Sequence, residues 1–335
     1  YKRQLQDSGR VNVLIDGARQ NFQVTGHNAG SAFYVEPSLL AGVDVIRGPI
    51  ANAYGSGAIG GVVSMRTLGI DDLVDADERS AARMGINLGS NGPSGLVNLE
   101  AGSYLTDQWD AYGAFALRRN ADYYDGGGDQ VDRTGFDVQS GIFKTRVRPA
   151  EGHQLELAGI LYDTSFESAT GDGDPRYTDV TTSTYRLGYR FDPADSQLID
   201  MTLNIYRTDT DYRQRLQDGS GDRRKVDVAT TGIDLYNTSI VEFSPSLSTT
   251  MTYGVDGFRD EVDASSDYDT TELFNPNGER TVYGGFAQAL FEYEDLIDFT
   301  VGGRFDRYDL SSAASPDNKG DRFSPKVSLG ITPIT

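Results

Sequence analysis

The side chains able to do chemistry in this sequence are few, and their spacing narrows the choices quickly. There are two histidines, His27 and His153, and no cysteine. Disulfides, thiolate metal sites and cysteine nucleophiles are therefore excluded together. His27 sits in Thr25-Gly26-His27-Asn28-Ala29-Gly30, polar and flanked by glycine. An imidazole in such a loop is either an ordinary exposed histidine or, with a neutral ring nitrogen free, a metal ligand. Gly55, Gly57 and Gly60 spell G-x-G-x-x-G. A dinucleotide loop needs a strand before those glycines and a helix opening after them. Asn52-Ala53-Tyr54 precedes them and Val62-Val63 follows, so the context argues against a nucleotide. Acidic runs at Asp71-Asp72, Asp75-Ala76-Asp77-Glu78 and Gly171-Asp172-Gly173-Asp174 offer hard oxygens, but none has the ligand spacing of a calcium loop. No G-x-S-x-G nucleophile motif with a partner base is present, so the chain reads as a non-enzyme.

The elements that would position these residues fall into two textures. Residues 1–75 form the first. Val11–Ile15 predicts a strand ending at the Asp16-Gly17 turn, 20–32 a polar loop, and Pro37-Ser38-Leu39-Leu40 a short helical turn. Val43, Val45 and Ile46 make an apolar run that ends at the corner Arg47-Gly48-Pro49. A glycine-rich loop and a second strand from Gly61 follow.

From residue 76 to 335 the chain alternates apolar and polar residues in segments of roughly 10 to 15. Leu155, Leu157, Gly159 and Leu161 fall on one face, as do Tyr185, Leu187, Tyr189 and Phe191, then Ile199, Met201, Leu203 and Ile205. Short connections (149–152, 192–195, 244–246, 294–295) alternate with long ones (121–135, 167–181, 213–225, 260–279, 310–321). Tyr162, Phe191, Phe243, Phe291 and Tyr293 near segment ends are expected to form an interfacial girdle. No apolar run approaches the ~20 residues of a spanning helix, which leaves spanning strands open. The fold class expected is an all-β membrane protein. It would be part of a 22-stranded antiparallel transmembrane barrel, about twelve strands of it, with an N-terminal α+β plug domain in the lumen. A soluble array such as a propeller or solenoid would need a fixed repeat with marker residues, which the segments do not share. A net charge of −20 argues against nucleic acid as a partner.

Three blocks carry a resemblance. Leu14-Ile15-Asp16-Gly17-Ala18-Arg19-Gln20, Val43-Asp44-Val45-Ile46-Arg47-Gly48-Pro49 and Tyr54-Gly55-Ser56-Gly57-Ala58-Ile59-Gly60-Gly61-Val62-Val63 resemble the plug domain of TonB-dependent outer-membrane receptors. Segments around Tyr283-Gly284-Gly285-Phe286, Gly302-Gly303-Arg304-Phe305 and Phe323-Ser324-Pro325 resemble the family's barrel strands. The resemblance implies residence in the bacterial outer membrane, in contact with its lipid, and nutrient uptake energised by the TonB–ExbB–ExbD complex. Thr25-Gly26-His27 is similar to the plug histidine context of the haem and haemoglobin branch, as is the ending Ser64-Met65-Arg66-Thr67. It implies that haem, free or from haemoglobin or a haemophore, is the transported ligand and that His27 is an axial ligand of its iron. An iron-siderophore is the alternative cargo, and a soluble β-rich binding protein the alternative class. His153, beside a short turn, is expected on the periplasmic side and unable to serve as the second ligand. Tyr123 and Tyr124, on a long loop, could touch haem or its carrier. Residue 1 already lies within the plug pattern, so the chain reads as part of a longer one. The second haem ligand and the TonB-contacting segment, the TonB box, are expected outside it. Arg186, Arg190, Lys144 and Arg146, on inward faces, are expected to hold the plug through ion pairs each contributing about 0–1 kcal/mol.

Overall fold

The computed structural model describes residues 11–22, 33–47, 55–168, 175–217, 219–220, 222–267, 277–294, 296–313 and 315–332. The first unit is a four-stranded sheet of β1 (Val11–Ile15), β2 (Ala18–Arg19), β3 (Leu40–Arg47) and β4 (Gly61–Thr67), ordered β2-β1-β4-β3. Asp16 and Gly17 close the β1–β2 hairpin with φ of 48° and 83°. Positive φ at both central residues is the type I′ geometry that matches strand twist, which is why Asp-Gly stands there. β1 runs parallel to β4, and β3 pairs antiparallel with it. Among the described residues the helical part of this unit is two 3₁₀ turns, Pro37–Leu39 and Ile70–Asp72.

The second unit is a twelve-stranded antiparallel meander. Its strands are β5 (Ser80–Gly89), β6 (Ser94–Tyr104), β7 (Trp109–Asn120), β8 (Phe136–Val147), β9 (His153–Ser168) and β10 (Arg176–Phe191). They continue with β11 (Met201–Leu216), β12 (Arg223–Ser244), β13 (Leu247–Ser266), β14 (Gly278–Tyr293), β15 (Ile297–Ser312) and β16 (Ser315–Ile331). The outer face is apolar and bare: Leu88 is 85% exposed and Val327 70%, with Met84, Phe143, Leu157, Leu161, Tyr185 and Phe323 beside them in kind. An apolar band of that extent does not face water, so the soluble-array alternative fails and the outer face is the lipid face. The inner face carries threonines, carboxylates and arginines, and it wraps the first unit. Plug residues Val13, Ile15, Leu39, Met65 and Ile70 share one apolar core with Tyr112, Ala114, Ala116, Ile142 and Ile160 of the wall. The two alanines let the plug sheet approach closely.

Several sequence expectations need correction. Beyond β9 the strands are 16 to 22 residues long, not 10 to 15. The connection at 121–135 has the expected bounds, but those expected at 167–181, 213–225 and 310–321 are mostly strand, and the one at 260–279 is strand at both ends. Above the lipid band the outward residues turn charged, so the apolar alternation disappears while the backbone ladder continues. Arg259, for example, bridges Glu261 and Glu279 at 3.0 and 2.8 Å on that outer face. Ile199 lies in the turn before β11 rather than on its outer face. Tyr162 is not a girdle residue: it points inward and its ring centroid is 6.0 Å from that of Tyr34 in the plug.

Candidate functional site

The plug is seated by a small set of residues on its strand ends, each meeting a partner on the wall. Asp16, fixed by the hairpin turn, accepts from Thr67 N at 2.9 Å and Thr67 Oγ1 at 2.5 Å, which ties β1 to the end of β4. Lys144 Nζ of β8 lies 3.0 Å from the same carboxylate and donates to Thr67 O at 3.2 Å. Both charged side chains are largely buried, at 7% and 11% exposure. Asp71, in the second 3₁₀ turn, receives Arg146 Nη1 and Nη2 at 2.5 and 2.8 Å and Tyr104 Oη at 2.8 Å. These hydrogen bonds, the guanidinium's first, hold the Asp71 carboxyl down at about 2. Arg146 is shared with Asp110 of the wall at 3.1 Å.

Glu36 caps the first 3₁₀ turn by accepting from Ser38 N at 3.1 Å, and Arg118 of β7 donates to it through Nε and Nη2 at 3.0 and 2.6 Å. The Glu36 side chain is 1% exposed. Burial alone would raise its pKa, but the Arg118 and Ser38 hydrogen bonds outweigh it and the carboxyl lies below its ordinary value. Neither Glu36 nor Arg118 stood out in the sequence, because a lone acid before Pro37 and an arginine at a strand end look like solvated charge. Of the four cations expected to grip the plug, Lys144 and Arg146 do. Arg186 instead pairs with Glu156 at 2.5 Å, and Arg190 with Asp192 and Asp200, all outside the plug. The Lys144–Asp16 pair is buried on both sides, whereas Arg146 meets an Asp71 side chain that is 61% exposed.

The glycine motif explains itself sterically. Gly55, Gly57 and Gly61 have φ of 74°, 96° and 142°, whereas Gly60 is not among the left-handed glycines. A Cβ on Gly61 would stand 2.2 Å from Ile46 O, so β4 can start beside Arg47 only with glycine there. A Cβ on Gly55 would stand 2.3 Å from Arg19 Nη2. The glycine loop is thus a seat for Arg19, which donates to Ser56 O at 3.0 Å and lies 4.4 Å above the Phe258 ring of β13. Asn21 Nδ2 donates to Asp260 Oδ1 of β13 at 2.9 Å, and Arg280 of β14 holds the same aspartate at 2.6 Å. β4 follows the glycines as a strand, so no helix N-terminus awaits a phosphate. Arg47 is exposed at the end of β3.

His27, Gly48 and Pro49 lie outside the described residues. What is described is where the two flanks of residues 23–32 are rooted. Phe22, 4% exposed, packs with Tyr212, Val180, Val226 and Val228, and Tyr34 packs on Phe22 and Tyr162. Burial pushes the Tyr34 phenol up from its ordinary value. Tyr212, Val180 and Val226 all lie within five residues of the β10–β12 ends that carry the 169–175 and 217–222 connections. His153 stands at the opposite rim from Tyr212 and Val226, its Nδ1 2.7 Å from Tyr189 Oη and its ring stacked on Phe191. Tyr123 and Tyr124 are exposed on the 121–135 connection. Asp71 and Asp72 are spent on Arg146 and Arg66, and no group of carboxylates and histidines among the described residues could hold a metal ion. The 171–174 acidic run lies outside the described residues.

Comparison with known proteins agrees with this architecture. Residues 3–62 match the TonB-dependent receptor plug domain and residues 108–334 the TonB-dependent receptor-like β-barrel. A hemin receptor of Yersinia pestis is 25% identical over 96% of this chain and 48% of its own length. The structure of the Serratia marcescens haemophore receptor HasR, solved with its haemophore HasA and haem, is similar at a TM-score of 0.85 and 22% identity, over 97% of this chain and 52% of that one. The FrpB iron transporter of Neisseria meningitidis is similar at a TM-score of 0.83 and 17% identity, over 98% and 55%. The chain spans about half the length of these relatives. A wall with an apolar outer face, a glycine-looped plug seated inside it and both matched domains make the chain a member of the TonB-dependent receptor family, whose place is the bacterial outer membrane.

Proposed function

We propose that the chain is the plug and first part of the barrel of a receptor that takes up haem, free or handed over by haemoglobin or a haemophore. In this reading the TonB–ExbB–ExbD complex supplies the pull, and residues 1–75 and 76–335 act as plug and wall. The observation that supports it concerns the described residues nearest Thr25-Gly26-His27 in the sequence: Phe22 and Tyr34 pack on the inner wall toward the rim of β10–β12. In this reading cargo would enter at that rim. A neutral imidazole from His27 would take one axial position on the iron, and a residue elsewhere in the full protein the other. The names of the similar proteins, a hemin receptor and a haemophore receptor solved with haem, support the same cargo. Uptake then needs two plug states that differ in affinity for haem, and pulling the plug shifts the population between them.

The test is an absorption titration of the full-length receptor with haem. A low-spin bis-imidazole Soret band is expected, and His27→Ala should convert it to a five-coordinate spectrum. An unchanged titration in His27→Ala would move the assignment to an iron-siderophore or another iron cargo, the reading that similarity to the FrpB iron transporter supports.

A further inference from the structure

The wall strands beneath the plug differ in where their polar groups find partners. The described hydrogen bonds and ion pairs from plug to wall fall on two sides. Tyr104, Arg118, Lys144 and Arg146 of β6–β8 make them on one, and Asp260 of β13 on the other. Strands β10, β11 and β12 lie between. The plug covers them as well: Phe22 packs on Val180, Tyr212, Val226 and Val228, and a Cβ on Gly17 would stand 3.0 Å from Asn204 Nδ2. Yet the inward polar side chains of this sector bond within the wall. Thr182 pairs with Thr210 and Thr184 with Thr208, each at 3.2 Å across the β10–β11 ladder, and Thr230 donates to Asp260 at 2.8 Å. All five threonines are buried. Further down, Asn204 accepts from Arg186 Nε at 2.6 Å and donates to Asp234 at 3.3 Å. Arg186 also meets Glu156, and Arg190 meets Asp192 and Asp200. From top to bottom, this sector is satisfied by itself.

A threonine whose hydroxyl is held by its cross-strand neighbour keeps one rotamer and presents hydrocarbon to whatever lies over it. Moving the plug off β10–β12 therefore breaks van der Waals contact and no directional bond of these threonines. Moving it off β6–β8 separates Asp16 from Lys144 and Glu36 from Arg118, and both carboxylates are nearly sealed from water. Splitting such a pair strands a buried charge, so that side is the harder one to open. What each side would uncover differs too. Haem carries two propionate carboxylates. Arg118 and Lys144, stripped of their partners, would hold a dianion in place. The sector between offers methyls and paired hydroxyls to the porphyrin face, and its arginines already have carboxylates beside them. Passage requires a surface that binds weakly at many points rather than tightly at one.

We infer that the passage for cargo opens between the plug and the β10–β12 wall, lined by Thr182, Thr184, Thr208, Thr210 and Thr230, while the plug stays seated on β6–β8. The inference rests on the haem-uptake reading above. The sequence has no cysteine, so single cysteines in the full-length receptor report without background. Thr184→Cys and Thr208→Cys stand on the passage, and Ala116→Cys and Ile142→Cys lie under the retained side. Cells are given haem and a charged methanethiosulfonate, with and without the proton gradient that energises uptake. Labelling of the two threonine positions should rise about tenfold or more on energisation, because a buried thiol reacts only in the opened state. Ala116→Cys and Ile142→Cys should stay protected. In a second measurement the pairs Phe22→Cys with Val226→Cys and Leu39→Cys with Ala116→Cys are each bridged by a reducible bis-methanethiosulfonate. The first bridge should stop haem uptake until reductant is added, the second should leave uptake running, and the haem titration should be unchanged in both. The inference is overturned if the β7–β8 positions gain labelling as much as the threonine positions, if both bridges stop uptake alike, or if haem enters while the threonine positions stay protected. In each of those outcomes wild type still imports haem, so the passage alone is wrong. Absence of haem import by wild type overturns the uptake reading and the passage with it.

Discussion

Replacing Arg118 by methionine strands a carboxylate that is 1% exposed inside the receptor. Glu36 would keep one donor, Ser38 N at 3.1 Å, and lose two at 3.0 and 2.6 Å. Removing one partner of a buried ion pair costs about 3–5 kcal/mol, because the remaining charge has neither water nor partner. A quarter of the Arg118 side chain is exposed, so water reaches part of the vacated space and about 3 kcal/mol is the expected cost. The converse change, Glu36→Gln, leaves the cation at the wetter end of the pair and a neutral amide at the dry one, for about 1 kcal/mol. The double variant should then be more stable than Arg118→Met alone, since its buried group carries no charge. The pair closes the segment in which Leu68 N donates to Leu39 O at 2.9 Å, so hydrogen exchange at Leu68 in the full-length receptor reports the loss directly. A rise of about a hundredfold is expected for Arg118→Met and several-fold for Glu36→Gln, at about 1.4 kcal/mol per factor of ten. Equal effects of the two single variants, or additive effects in the double one, would refute the argument from a stranded charge.

Two further outcomes follow from the plug's geometry. Gly61→Ala should cost about 2–3 kcal/mol through a left-handed φ and a clash with Ile46 O, whereas Gly42→Ala, where a Cβ meets nothing within 4 Å, should change urea stability little. The Asp71 carboxyl sits at about 2, below its ordinary 3.8, so its contribution is complete above about pH 4 and is lost as pH falls through 2. Plug-segment hydrogen exchange should accelerate over that window in wild type and become flatter with pH in Asp71→Asn; the same slope in both would remove Arg146–Asp71 from the account.

The wall was legible in the sequence because lipid on one side and water on the other impose a period of two, as at Leu155, Leu157 and Leu161. That signal stops where both faces are wet. Arg213 to Leu216 therefore read as loop although it continues β11, since ladder hydrogen bonds leave no mark on hydropathy. The Asp16-Gly17 turn and the glycine loop were legible because positive φ and close backbone approach restrict the residue type. The plug's partners were not: Arg118 and Glu36 are 82 residues apart, and nothing local distinguishes a buried arginine at a strand end from a solvated one. Tyr162 was misplaced for a related reason, since an inward tyrosine near a segment end has the same spacing as a girdle residue.

The charges at the seat also fix how the plug is turned. Toward β7 and β8 the plug presents carboxylates, Asp16, Glu36 and Asp71, and the wall answers with Lys144, Arg118 and Arg146. Toward β13 and β14 the sign reverses: the plug offers Arg19 and Asn21, and the wall has Phe258 and Asp260. A plug rotated within the lumen would set its carboxylates against Asp256 and Asp260, both buried, and its arginine against the β7–β8 cations. Like charges brought together at that depth cost several kcal/mol, more than apolar packing on small wall residues such as Ala114 and Ala116 discriminates. The apolar core shared by plug and wall thus supplies adhesion without direction, and the opposed signs of the two sides supply the direction. The contacts that specify the orientation are few, polar and at the plug's edges.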